Sequence, residues 1–467
     1  MGVLVLGGGV SGLSTAYYLT KKLHPTSIYL WEASERCGGW IRSHRNEKGI
    51  IFEQAARTLR PKSEAGANTL ALVEELQLSK DVCCVLSSSP AAKKRLIYVN
   101  GQLHALPSSI FSLFKKIPPF SKPLITNFLN EYKVPKKQVK DESIHDFISR
   151  RFGHEIADYL INPLICGICA GNAKEVSVNF LAGQLFEYEQ SYGNISKGLL
   201  YNLFTKNKGL PQSSLLDKAK REKWNVYSFK NGLETLPRRL NEYLNSVGIL
   251  PAINTQCEKI EFSKNEVIAH NQNSSLKIKH LFSTILSEQL AKLIVDQHPK
   301  LSVLLESIKS VNVAVVNLHF KGELIKNPGF GFLVPPQENL PILGVIFDTC
   351  SFEQNGDTVL TVMMGGHWFQ KYFANFEQDE QFYNVALNYI SKILNIHEEP
   401  ISHKVSILEK CIPQYSIGHK ATVESINNYI STFRLPISIC GMSFQGVGVN
   451  DVILSAKKSV NNFFKNQ

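Results

Sequence analysis

No stretch of this 467-residue sequence approaches the roughly 18 consecutive apolar residues that a bilayer-spanning helix requires, and the best runs, such as 311–318, are strand-sized. A helical membrane span is excluded. The first strand pattern begins at Val3, with no room ahead of it for a charged n-region or an Arg-rich presequence, so any targeting is expected to be internal or absent. The nine cysteines are odd in number and irregularly spaced, which gives no disulfide framework. A single C-x-x-C, Cys166 and Cys169, has no second pair with which to build a zinc site, and buried packing outweighs a redox pair as the expected fate of both thiols. No metal site is expected. Neither a Ser-His-Asp arrangement nor an H-E-x-x-H spacing surrounds His104, His145 or His419, so each is read as structural.

What is present points to a large folded protein. Hydrophobic residues make up 43% of the chain, with 26 Phe and 16 Tyr, enough for an ample core. The length is about three times that of a common domain, which predicts two or three packed units. Lys and Arg exceed Asp and Glu by 51 to 40, a net +11 that favours anionic partners. No nucleic-acid-binding motif accompanies the charge, and nucleic acid is not an expected partner.

The run Val3-Leu4-Val5-Leu6 passes directly into Gly7-Gly8-Gly9-Val10-Ser11-Gly12 and then into a helical pattern of Leu13, Ala16, Tyr17 and Leu19. Strand, glycine turn and helix form a dinucleotide-binding fingerprint: Gly7 permits the turn, Gly9 lets a pyrophosphate approach the backbone, and Gly12 brings the helix close to its strand. A second apolar run, Ser27-Ile28-Tyr29-Leu30-Trp31, ends in Glu32, where a carboxylate meets a ribose hydroxyl and repels the 2′-phosphate of NADP. NAD or FAD remains. Arg36, Gly38, Gly39 and Trp40 follow closely, an Arg beside a Gly pair that grips the same pyrophosphate from a second side and favours a flavin dinucleotide. Near the other end, the strand-like run 435–440 leads into Gly441 and then Gly446-Val447-Gly448-Val449-Asn450-Asp451. A helix starting near Asn450 buries Val452, Ala456, Val460 and Phe463 on one face. Its positive end stabilises a reduced, anionic flavin ring.

These motifs resemble those of the FAD-dependent amine oxidase and phytoene desaturase superfamily. Within it, the chain is similar to the animal mitochondrial protoporphyrinogen oxidases. The narrower likeness rests on Arg57-Thr58-Leu59-Arg60-Pro61, Tyr98-Val99-Asn100-Gly101-Gln102-Leu103-His104-Ala105-Leu106-Pro107, Cys169-Ala170-Gly171-Asn172, Gly329-Phe330-Gly331-Phe332-Leu333-Val334-Pro335 and Ile412-Pro413-Gln414-Tyr415-Ser416-Ile417-Gly418-His419. These lie in the family's order over essentially the whole chain. The sequence departs from the family pattern at Ala456, where Gly is usual, and at Ala55-Ala56-Arg57, where Gly-Pro-Arg or a similar triplet is usual.

The resemblance implies an α/β fold: a Rossmann-like FAD-binding domain, a β-rich substrate domain and a mostly helical membrane-binding domain, interleaved in sequence. The FAD-binding domain is expected from 1–88, 222–300 and 408–467, the substrate domain from 89–107 and 301–407, and the helical domain from 108–200. Strands are expected at 224–229 and 254–262, both in the nucleotide-binding sheet, and at 311–320 and 358–364 in the substrate domain, with a helix opening at Gly232-Leu233. Residues 91–130 carry Lys93, Lys94, Arg95, Lys115, Lys116 and Lys122 among Phe and Leu side chains, with no Asp or Glu. On composition alone this is either a membrane-interface surface or a helical subdomain with a buried apolar face. The resemblance favours the first, a peripheral or monotopic protein on the mitochondrial inner membrane, facing the intermembrane space.

The activity so implied is oxygen-dependent oxidation of protoporphyrinogen IX to protoporphyrin IX in heme biosynthesis. Hydride passes to noncovalent FAD and hydrogen peroxide is released. No side chain is expected to be catalytic, because the flavin performs the transfer. The substrate-binding residues implied are Arg95 for a propionate, Arg57 as a second cation, and Gly167, Phe330, Leu333 and Met363 around the macrocycle. Cofactor contacts are implied for Gly7, Gly9, Gly12, Glu32, Arg36, Gly38, Gly39, Trp40, Cys257, Gly441, Val447, Gly448 and Val449. Partners are protoporphyrinogen IX, molecular oxygen and an anionic membrane surface, and a homodimer is allowed. The alternatives are a flavin amine oxidase, a carotenoid desaturase, or a non-enzymatic flavin-binding membrane module.

Overall fold

The structure, a computed structural model, describes residues 2–203, 212–264, 266–352 and 354–465; the other positions within the segments 1–88, 222–300, 301–407 and 408–467 lie outside the described residues. Strand Val3–Leu6 is apolar at all four positions and buried at all four, so it must be covered on both faces. It sits inside a parallel four-stranded sheet ordered Ile437–Ile439, His280–Ser283, Val3–Leu6, Ile28–Trp31. Strands from the beginning, middle and end of the chain therefore share one sheet. The helix Val10–Thr20 covers one face and packs against the helices Thr235–Ser246 and Val449–Lys465, burying Leu13, Ala16, Tyr17, Ile453 and Val460 in one core. Ala456 is fully buried on the last of these helices.

The second sheet has seven strands, ordered Ser402–Pro413, Ser310–Phe320, Thr358–Gly366, Ile342–Phe347, Gly331–Leu333, Leu96–Val99 and Gln102–Ala105. All neighbours are antiparallel except Gly331–Leu333 beside Leu96–Val99. Alternation along the strands sorts its two faces. Ala314, Val316, Leu318 and Phe320 join Leu360, Val362 and Met364 in a core under the helix Asp379–Leu394. The residues between them, Val313, Val315 and Met363, turn to the opposite face.

Helices dominate between residues 125 and 203, around a core of Phe147, Ile148, Ile165 and Phe186. The buried Arg151 pairs there with Glu131 at 3.1 Å and with Glu189. A one-turn π-helical stretch, Ala157–Ile161, precedes the helix Asn162–Cys169, which carries Gly167.

Two strand expectations are corrected. Trp224–Phe229 is a strand, but it pairs antiparallel with Val82–Leu86 in a separate ribbon. The expected strand 254–262 is confined to Lys259–Phe262 and belongs to a three-stranded antiparallel sheet with Val267–His270 and Ser275–Ile278. Instead, the middle segment enters the nucleotide-binding sheet through His280–Ser283. The helix expected to open at Gly232-Leu233 begins at Thr235, because Gly232 is in a left-handed turn (φ +86°) packed against Ser43.

Candidate active site

Gly7 leaves its strand with φ +103°, a conformation that a side chain resists, and donates its N–H to the Trp31 carbonyl at 2.8 Å. Gly9 precedes the helix Val10–Thr20, and no side chain caps that helix start. A Cβ built at Gly9 meets only the Gly39 Cα, at 3.9 Å, so a ligand can come close to the backbone there. The second glycine pair lies directly over this turn: Gly38 forms a parallel bridge with Gly9 and donates to the Gly8 carbonyl at 2.8 Å. Glu32, at the end of Ile28–Trp31, accepts from the Gly8 N–H at 2.6 Å and from the Ser34 N–H at 2.9 Å, which brings its carboxylate to the turn.

The last segment reaches the same place. Gly441 (φ +103°) stands against Ser11, whose Oγ would lie 3.1 Å from a Cβ at 441. The loop through Gly446, Val447 and Gly448 then opens the helix Val449–Lys465. Open glycine backbone, an uncapped helix start and a carboxylate beside them fit the pyrophosphate and ribose of a dinucleotide. Arg36 stands on the second glycine loop. Its guanidinium donates to the carbonyls of Cys37 (3.0 Å) and Gly39 (2.8 Å) and pairs with Glu234 at 3.2 Å, so it holds the second glycine loop in shape. Cys257 is buried, its thiol donating to the Lys259 carbonyl at 3.5 Å, just before its strand rather than within it. A surface cleft of about 430 Å³ lined by Arg36, Glu234, Pro237 and Asn241 contains none of the first glycine turn.

Trp40 and Ala55 enter a separate apolar cluster with Cys166, Ala170, Val313, Val315, Leu343, Met363, Leu408 and Cys411. Here the nucleotide-binding part, the helical part and the free face of the seven-stranded sheet meet. Gly167 lies against Leu333, whose Cδ2 would be 2.8 Å from a Cβ at 167. Both thiols of the C-x-x-C are buried and donate to carbonyls, Cys166 to Gly171 and Cys169 to Ile165. Burial pushes the Cys169 thiol up to about 12 and raises Cys166 as well, so neither provides a thiolate.

The two arginines proposed as cations differ in setting. Arg95 precedes Leu96–Val99, next to Phe330, whose N–H donates to the Lys94 carbonyl at 2.9 Å. Partial burial, and then the charge of nearby Arg60, lower the Arg95 pKa. Among the described residues, neither Arg60 nor Arg95 has a carboxylate within ion-pair distance. Two unneutralised guanidiniums are therefore neighbours. Arg57, by contrast, is turned inward: it is buried, with Nε 3.6 Å from the Asp348 carboxylate, and its Nε and Nη1 have no hydrogen-bond partner among the described residues. Sequence reasoning gave no role to Arg60, although it stands in a quoted motif. It also missed Val313, Val315 and Leu343, which the period-two alternation of their strands could have assigned to one face. Among the described residues, no group of acidic, His and Cys side chains could hold a metal.

The model of the flavin-containing amine oxidoreductase family matches residues 10–462. The chain belongs to this family. Its relatives include the protoporphyrinogen oxidase of Homo sapiens, 38% identical over 465 residues, covering 98% of this chain and 97% of that protein. The protoporphyrinogen oxidase of Bos taurus is 39% identical over 467 residues, with coverage of 98% and 97%. Among solved structures, the putative protoporphyrinogen oxidase of Exiguobacterium sp. 255-15 superposes with a TM-score of 0.78 at 21% identity, over 100% of this chain and 99% of that one. The α/β fold is thus that of the flavin-containing amine oxidoreductases.

Proposed function

We propose that this flavoprotein oxidises protoporphyrinogen IX to protoporphyrin IX in heme biosynthesis. The observation that carries the reading is full-length identity of 38–39% to protoporphyrinogen oxidases, in a chain that sets a dinucleotide cradle beside a packed apolar cluster. FAD, bound noncovalently, supplies hydride acceptance in two-electron steps, and oxygen is the final acceptor with release of hydrogen peroxide.

The chain's own contribution is placement. Gly7, Gly9, Gly12, Gly38, Gly39, Gly441, Gly448 and the backbone of Val447 and Val449 hold the dinucleotide, and Glu32 takes the ribose. Cys257 holds the adenine end through its backbone. Met363, Leu333, Phe330 and Gly167 form the apolar walls against which the macrocycle lies, and Trp40 contacts the cofactor. Excluding water from such apolar surroundings strengthens the few polar contacts made beside them. Arg95, reinforced by Arg60, takes a propionate, since a carboxylate entering an apolar cleft needs a charged partner to offset lost hydration. Arg57, paired with Asp348, is the cation behind the pocket.

The same reading gives the 91–130 segment its role at an anionic membrane surface, on the mitochondrial inner membrane facing the intermembrane space. Phe111 is 83% exposed, and Ile110, Phe114 and Leu129 are also exposed, beside Lys115, Lys116 and Lys122. Glu131, the first acid after this run, is turned inside to Arg151 and leaves the surface free of its charge. The patch continues onto the helix Ile195–Leu203: Lys197 lies over the Tyr132 ring at 5.7 Å, and Leu199, Leu200 and Tyr201 are exposed. Such a surface suits peripheral insertion. Among the described residues, no helix is long and apolar enough to cross a membrane.

Anaerobic mixing of the flavin-loaded protein with protoporphyrinogen tests the function. The flavin absorption should bleach anaerobically as each flavin takes two of the six electrons, and oxygen should then restore the yellow form, with hydrogen peroxide and porphyrin fluorescence appearing as the remaining two-electron steps turn over. Bleaching by amines with none by porphyrinogen would overturn the assignment in favour of an amine oxidase.

A further inference from the structure

We propose that Tyr415 is a positioning residue for the flavin: its hydroxyl fixes the 446–449 loop at the start of the C-terminal helix. The inference rests on the reading of that loop as part of the flavin site. Tyr415 stands just beyond the strand Ser402–Pro413 and is 8% exposed. Its hydroxyl donates to the Met442 carbonyl at 2.7 Å and accepts from the Gly446 N–H at 2.6 Å. One oxygen thus ties both ends of the 442–446 turn.

The turn has little freedom to find another position. Gly446 has φ +102°, and a Cβ there would lie 2.7 Å from the Asp451 Cβ. Past it, the Asp451 N–H closes on the Gly448 carbonyl at 3.0 Å and the helix begins. The phenol therefore holds one side of the loop and the helix holds the other.

Nor can the phenol follow a displaced loop. The His419 ring stacks on Tyr415 with centroids 3.8 Å apart, and the Phe180 ring meets it edge-on at 5.2 Å. The Tyr415 carbonyl accepts from the Ser177 N–H at 2.8 Å. Tyr415 is thereby anchored to the helical part of the molecule and to the β-sheet strand, and it presents a fixed oxygen to the flavin loop. The position of that loop decides how near the positive end of the Val449–Lys465 helix comes to a bound flavin, and with it the stability of the anionic reduced ring.

Tyr415→Phe keeps the ring, the stack and the backbone contact and removes only the oxygen. Titrating flavin-free protein with FAD should show affinity about tenfold weaker than wild type, the scale of two lost hydrogen bonds of modest net strength. The midpoint potential of the bound flavin should fall, because the reduced form loses stabilisation. A variant that melts at a lower temperature yet keeps wild-type FAD affinity and potential would overturn the proposal, since Tyr415 would then be merely structural. Should Tyr415→Phe fail to fold, a ring-fluorinated tyrosine at 415 keeps the shape and hydroxyl but weakens its oxygen as an acceptor. It should lower FAD affinity by about two- to threefold, and unchanged affinity would again overturn the proposal. Wild-type protein that binds no FAD would instead refute the flavin site itself, an outcome separate from any difference between variants.

Discussion

The α-carbon of Gly12 lies against the carbonyl of Gly7, so close that a Cβ at position 12 would stand 1.7 Å from the Gly7 oxygen. No side-chain rotation relieves a clash between backbone and Cβ. Gly12→Ala must push the helix Val10–Thr20 off the strand Val3–Leu6 and spoil the turn that faces the pyrophosphate. Purified Gly12→Ala should carry at least about tenfold less flavin by absorbance ratio. At Gly9, where a Cβ meets only Gly39 at 3.9 Å, Ala should fold normally and lose flavin through obstruction alone.

Arg95 and Arg60 carry neighbouring charges with no carboxylate partner among the described residues, which sets up a binding test. Arg95→Ala should raise KM for protoporphyrinogen by about one to two orders of magnitude, the scale of a lost charge-assisted bond, and leave flavin content intact. Arg60→Ala should act in the same direction and less strongly. With propionate-esterified porphyrinogen, both variants should match wild type. An equal defect on the ester would place the effect in folding or flavin geometry.

The proposed membrane attachment predicts a composition dependence. Co-sedimentation should be stronger with anionic than with neutral vesicles and should weaken as salt rises, because each surface Lys near anionic lipid contributes about 1 kcal/mol. Phe111→Ser combined with Leu129→Ser should reduce binding to both vesicle types. Equal binding to neutral and anionic vesicles at low salt would remove the electrostatic half of the reading.

Glu53 is buried beside Arg57 and Asp348, and burial pushes its carboxyl up to about 7 despite the Leu233 N–H and the Ser43 hydroxyl that favour the charged form. Between the ordinary Glu value of about 4.3 and the raised one, the folded protein holds a proton that the unfolded chain has released. This group's contribution to stability therefore falls as pH rises through that window and levels off above it. Glu53→Gln removes the titration. Urea midpoints should converge near the acid end of the window, and the variant should be the more stable above pH of about 7. Parallel pH profiles for the two proteins would clear Glu53 of the effect.

Much of the nucleotide end was legible because its causes are local. A strand of apolar residues, a turn needing φ above zero at Gly7, and a helix starting at Val10 are set by neighbouring residues. Resemblance of motifs in order extended this to the family. Alternation along 310–320 likewise held the division between the Ala314-side core and the Val313-side cluster.

By itself, then, the sequence determined the glycine turns, the strand periods and the run of lysines without acids. Tertiary structure alone decided that Trp224–Phe229 pairs with Val82–Leu86, that Arg36 spends its guanidinium on its own loop, and that Glu131 turns inward. It also brought Tyr415 to Gly446 and extended the exposed apolar patch to Leu199 and Leu200. The physical reason is range. Local conformation is fixed by φ, ψ and side-chain period within a few residues, whereas a hydrogen-bond partner for a strand or a guanidinium is chosen among groups far apart in sequence. Which of them meet depends on how whole elements pack, because only packing repays the entropy of bringing them together.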